Sequence, residues 1–167
     1  MAAGEPTANA APAATGNGAI AGSAVPLRTA PSARVRLGVN APASARVGNS
    51  VTITIDADAF AGVRDLAFTV VYDDHFLQFV SAANGSFPQM ASAPAKLSAE
   101  DPSTGNVLVH LQVDGGVLAG AGTVVVLEFN ALQAGATLVT LRDVTLLESD
   151  GSTSGTAAVR TASIVIE

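Results

Sequence analysis

The sequence predicts an all-β protein, a two-sheet sandwich of roughly nine short strands. Three observations predict it. Apolar and polar residues alternate with period two over short runs. Turn-forming glycine, asparagine and aspartate separate those runs. No long stretch carries the 3.6-residue period of an amphipathic helix.

The runs follow in order. Val35, Leu37 and Val39 alternate with Arg34, Arg36 and Gly38. Val51, Ile53 and Ile55 alternate with Thr52, Thr54 and Asp56. Leu66, Phe68, Val70 and Tyr72 share one parity against Asp65, Ala67, Thr69 and Val71. Leu77 and Phe79 point back toward the core after the corner at Asp73. Val107, Val109, Leu111 and Val113 alternate with Leu108, His110 and Gln112. The run 124–129 is nearly continuous in apolar residues, which predicts a strand covered on both faces. Leu138 to Leu141, Val144 to Leu147 and Ser163 to Ile166 complete the set. Gly48, Gly85, Gly105, Gly115 and Gly151 fall in the gaps, where turns need conformations that a Cβ disfavours. Asp150-Gly151 suits a tight hairpin.

Bulk composition narrows the function classes. Eight Lys and Arg stand against 14 Asp and Glu, a net charge of −6. Nucleic acid and anionic lipid both require a cationic face, so neither is an expected partner. The absence of cysteine removes disulfides, thiolate metal sites and Cys nucleophiles together. No apolar run reaches the ~18 residues of a membrane span, so no membrane insertion is expected. The first residues lack the basic and apolar regions of a signal peptide, so secretion would require a leader outside this chain.

Residues 1–33 differ from the rest. They are rich in Ala, Gly, Pro, Ser and Thr and almost uncharged. Such a segment buries too little apolar area to offset its ordering entropy, so it reads as a linker or tail ahead of a domain at 34–167. Ile20, Val25 and Leu27 interrupt that pattern. They allow a second reading, in which residues 18–28 add a strand to a neighbouring copy and drive self-association.

The stretch Tyr72-Asp73-Asp74-His75 contains two acids and a histidine. One reading is a corner, with Tyr72 closing the core row, an aspartate capping the turn and His75 in solvent. The other is a cation site at Asp73 and Asp74, joined by Asp56 and Asp58, which admits calcium if six to eight oxygens converge. Catalysis has less support. Neither His75 nor His110 belongs to a nucleophile elbow, a zinc-binding helix motif or a phosphate loop. A carbohydrate-binding platform relies on flat aromatic faces, and this chain has one Tyr and no Trp.

The ordered series of features resembles a known family. Val47-Gly48-Asn49-Ser50-Val51-Thr52-Ile53 leads into a strand; Leu66 to Asp73 ends in Tyr-Asp. Leu77 to Ala82, Gly85, Gly105-Asn106-Val107, Gly122 to Phe129 and Gly135 to Leu138 follow. This series is similar to the cohesin domain over the span 34–167. The resemblance implies a nine-stranded jelly-roll sandwich without catalytic activity. It implies a dockerin-like or other protein partner, held outside the cytoplasm on one sheet face. Carried onto this sequence, the face consists of Asp65, Ala67, Thr69, Leu108, His110 and Gln112. Cellulosomal cohesins favour Asn or Asp on the first row; Asp65 fits that habit and Ala67 departs from it. The Pro/Ala/Gly-rich lead also resembles the setting of C-terminal cohesin-like modules in secretin-related outer-membrane proteins, which would make the partner a secretion or surface component. The sequence has no duplicated Asp-rich calcium loop, so it contains no dockerin of its own.

Overall fold

The computed structural model describes residues 35–154 and 158–167. The expectations placed on residues 1–33, including self-association through residues 18–28, lie outside them. Among the described residues the chain forms β1 (Arg36–Asn40), β2 (Ser44–Ala45), β3 (Ser50–Val71), β4 (Leu77–Asn84), β5 (Ala95–Ser103) and β6 (Asn106–Val113). These are followed by β7 (Leu118–Ala131), β8 (Gly135–Glu148), β9 (Thr153–Ser154), β10 (Ala158–Arg160) and β11 (Ala162–Ile166), with a single 3-10 turn at Pro88–Met90. The all-β sandwich holds, but the strand count is eleven rather than nine. Two expected pairs of strands are fused, and β2, β5, β9 and β10 were not foreseen.

The main fusion is β3. Its first half lies between β1 and β7, and its second half between β6 and β8. Parallel β10 extends the first layer beyond β1, and β4 extends it beyond β7. Strand β5 extends the second layer beyond β6. One strand therefore serves both layers. It does so through extra residues inserted after Ala57, Ala61 and Val63, with Gly62 at φ 75°. Each extra residue flips the side chains that follow to the opposite face. The buried row runs Val51, Ile53, Ile55, Ala57 before the shifts and Leu66, Phe68, Val70 after them. The sequence shows the change of parity and reads it as two strands; hydrogen bonding continues through it.

The same device fuses the expected strands at 138–141 and 144–147 into β8. Asp143, at φ 53°, is the extra residue opposite Phe68. The buried row passes from Val139 and Leu141 to Val144 and Leu146. In β7 a bulge explains a second difference. Val124 is inserted between Thr123 and Val125, which pair with Asp56 and Ile55. Both valines are buried for that reason. Beyond the bulge the strand alternates, with Val126 half-buried and Glu128 exposed. Coverage on both faces is thus corrected to coverage on one. Glu128 accepts hydrogen bonds from Ser50 Oγ (2.7 Å) and Ser81 Oγ (3.3 Å).

A single buried cluster fills the space between the layers. Tyr72, just past β3, meets Phe129 of β7 edge-on at 4.9 Å, and Phe129 meets Phe79 of β4 at 5.7 Å. Phe60 packs on Phe87 at 5.1 Å. The Asp150-Gly151 hairpin forms as the sequence predicts: Gly151, at φ 85°, donates its N–H to the Glu148 carbonyl at 3.0 Å. Ser152 donates from its backbone and hydroxyl to Asp150 Oδ1, which holds that carboxyl below its usual range.

Gly85 marks the closest backbone approach, where β4 turns across β7. A Cβ there would stand 2.0 Å from the Thr123 carbonyl oxygen, a backbone atom that no rotamer change relieves. Gly85→Ala should therefore cost about 1–3 kcal/mol, the usual range for overpacking, in denaturant unfolding. A cost near zero would mean that the β4–β7 turn yields freely.

Candidate functional site

The six residues expected on one face come together there. Strands β6 and β3 pair antiparallel, with Leu108 opposite Thr69, His110 opposite Ala67 and Gln112 opposite Asp65. All six lie on the outward parity, because the inward row (Leu66, Phe68, Val70 and Val107, Val109, Leu111) is fully buried. The neighbouring strands complete a grid of three rows. Row one reads Glu100, Leu108, Thr69, Arg142; row two, Ser98, His110, Ala67, Thr145; row three, Lys96, Gln112, Asp65, Leu147.

The grid has a distinct chemistry. Its middle is neutral: Leu108, 41% exposed, beside Thr69, Ala67 and His110. Three charges mark corners, Glu100, Lys96 and Arg142, and Lys96 is paired with Asp114 at 2.9 Å. Asp65 is turned inward along the face. Its Oδ1 lies 2.7 Å from His110 Nε2, a diagonal contact between β3 and β6. A neutral centre inside a charged border is the usual anatomy of a protein–protein interface.

Half of this face was missed in the sequence. Strand β5 supplies Lys96, Ser98 and Glu100, alternating with Ala95, Leu97 and Ala99. The period-two signal is present there, but Leu97 is its single large apolar residue, so the run does not stand out as a strand. Arg142 falls in the gap between two expected strands and Thr145 on the second of them, and the Asp143 bulge places both on β8.

The Asp73 corner takes the turn-forming form. Asp73 Oδ1 accepts the His75 N–H at 3.0 Å, and the Asp73 carbonyl accepts the N–H groups of Phe76 (3.2 Å) and Leu77 (3.0 Å). His75 projects into solvent, its Nδ1 3.1 Å from Asp73 and 3.3 Å from Asp74. The ligand atoms of Asp73, Asp74 and His75 lie within 4.8 Å of one another, the one such group among the described residues. Asp56 and Asp58 do not join it, which corrects the wider cation site. Both lie in the first half of β3, paired with β1. Asp56 accepts from Thr123 Oγ1 at 2.7 Å and from Asn40 Nδ2, and Asp58 pairs in register with Arg36. Two carboxylates and one imidazole fall short of the oxygen-rich shell that calcium takes.

Tyr72 closes the core row at this corner, 6% exposed. Burial pushes its phenol above the ordinary value near 10, partly opposed by hydrogen bonding from the Gly105 backbone and reinforced by the nearby Asp101 charge. The folded state thus holds this proton more tightly than the unfolded chain does. The associated stability is complete below pH ~10 and declines as pH rises through the raised value.

The comparisons with known proteins bear on this geometry. A family model, the cohesin domain, matches residues 37–166. Among solved structures, the sixth cohesin of Acetivibrio cellulolyticus scaffoldin B, in complex with a mutant Cel5 dockerin, has a TM-score of 0.67 at 21% identity, covering 80% of this chain and 99% of that one. The non-cellulosomal cohesin of the archaeon Archaeoglobus fulgidus gives 0.66 at 16%, covering 81% and 92%. The type I Coh-OlpC–Doc435 complex from Clostridium thermocellum gives 0.66 at 15%, covering 79% and 94%. No curated protein matches the chain.

Two measurements check the corner. In wild type, stability should fall more steeply above pH ~10 than in Tyr72→Phe, which lacks the titrating proton; equal alkaline slopes would contradict a buried phenol. Calcium should leave the melting temperature of the domain unchanged. A saturable rise, the signature of a ligand bound to the folded state, would make Asp73, Asp74 and His75 a metal site.

Proposed function

The chain belongs to the cohesin domain family, and from that premise we propose that it is a non-catalytic attachment module. It works outside the cytoplasm and holds a dockerin-like or other protein partner on the outer face of β5, β6, β3 and β8. The observation that carries this reading is the grid itself: four paired strands present a neutral patch around Leu108, Ala67 and His110, bordered by Glu100, Lys96 and Arg142. Two of the similar cohesins were solved as dockerin complexes, which supports a protein as the ligand class.

The chemistry of the face favours attachment over turnover. His110 has a carboxylate partner in Asp65, as a catalytic histidine would. Ser98 sits opposite in register, yet among the described residues its hydroxyl makes no hydrogen bond to the ring. The inward row beneath is wholly apolar and closed. A protein surface can cover such a face, whereas a small substrate would find little to enclose it.

Immobilised domain should capture its partner from the secreted or surface fraction of its source cells. Leu108→Asp with His110→Ala should abolish that capture while leaving the melting temperature nearly unchanged, because both side chains point away from the core. Undiminished capture would move the interface elsewhere. Capture solely from cytosolic extract would count against an extracytoplasmic role.

A further inference from the structure

The contact between His110 and Asp65 fixes more than a side-chain position. A carboxylate is an acceptor only, so the ring nitrogen 2.7 Å from Asp65 Oδ1 carries the proton. That nitrogen is Nε2. In the neutral ring Nδ1 is then unprotonated and accepts. Among the described residues no donor reaches Nδ1, and the imidazole is 42% exposed on the face. Apart from Asp65 on the Nε2 side, its neighbours are uncharged: Ser98 on β5 and Ala67 on β3 lie opposite it, and Leu108 and Gln112 lie two residues away on β6.

We propose that His110, positioned by Asp65, is a specificity-determining residue that reads an uncharged hydrogen-bond donor, a hydroxyl or amide, on the partner protein. The inference rests on the attachment face described above and deepens it. Covering Leu108 buries apolar area and tolerates many partners. A bare Nδ1 in the same patch does not, because a partner without a donor there leaves a buried acceptor unsatisfied. Ala67, opposite His110, keeps the approach to the ring open: its methyl is the smallest side chain that still covers the strand. Asp65 acts through His110, as a positioning residue.

The first test needs no partner. Long-range proton–nitrogen NMR of the domain, at mildly alkaline pH where an imidazole is ordinarily neutral, should show His110 protonated at Nε2 and bare at Nδ1. Asp65→Asn, whose amide can also donate, should erode that preference. A ring protonated at Nδ1 in wild type, or a tautomer indifferent to Asp65→Asn, overturns the proposal. The second test uses a displayed library of dockerin modules with randomised exposed helix faces. It is enriched on the wild-type domain and counter-selected on Leu108→Asp, so that the surviving clones bind this face. Those clones should lose about tenfold in affinity on His110→Phe, the cost of one unsatisfied donor. On His110→Gln, which retains an acceptor, they should stay within about threefold. Equal binding to wild type and His110→Phe overturns the donor contact and leaves the face intact as a docking surface. A library yielding no Leu108-dependent clone removes the face reading beneath it.

Discussion

The structure depends on one strand doing the work of two. β3 runs from Ser50 to Val71 and is central in both layers, paired first with β1 and β7 and then with β6 and β8. A flat strand of that length would project out of a sandwich instead of closing one. The register shifts near Phe60, Gly62 and Arg64 bend it and turn its buried row over, so that Val51 to Ala57 and Leu66 to Val70 face the same core from opposite sides. The proposed docking face follows from this bend, because the second half of β3 is the middle of the exposed face and is anchored covalently to the first half in the other layer. The face is therefore built on the most thoroughly paired strand among the described residues, which limits its freedom to deform.

The legible part of the fold was the inward row of each strand. Alternation reports whether successive side chains differ in polarity, and nearly every apolar residue placed on an inward parity is buried. Strand continuity was not legible. A bulge leaves the backbone hydrogen-bonded while breaking the parity, and the sequence records the break alone; β3 and β8 both divide at such points. Asp143 shows why composition gives no warning, since an aspartate in the left-handed region is indistinguishable in sequence from an aspartate in a turn. Strand β5 escaped for a different reason. Its inward residues Ala95, Leu97 and Ala99 are mostly small, so its alternation has little amplitude.

The corner at Asp73 and the pair at Asp65 illustrate how little an acid and a histidine in proximity imply. At the corner, Asp73 spends its oxygens on the N–H groups of the turn, and His75 hangs in solvent beside it. On the face, Asp65 has no turn to satisfy, and its carboxylate settles the orientation of His110. The residue types are alike. Backbone context separates them: a chain reversal with unpaired N–H groups in one case, and a fully paired sheet with none to spare in the other.

That separation between inner and outer rows also explains how the fold persists at 15–21% identity with TM-scores of 0.66–0.67. Each buried Leu, Ile, Val or Phe contributes roughly 1.5–3 kcal/mol by leaving water. Net stability is itself about 5–15 kcal/mol, so few such positions can be lost together. The outward row pays no comparable penalty, since exchanging Ala67 or His110 for another residue leaves the core beneath untouched. The face can therefore change one residue at a time while the core beneath β3 and its bulges stays fixed. In the proposed attachment role the outward row alone is free to encode which protein is held, and in this chain His110 stands in its middle row.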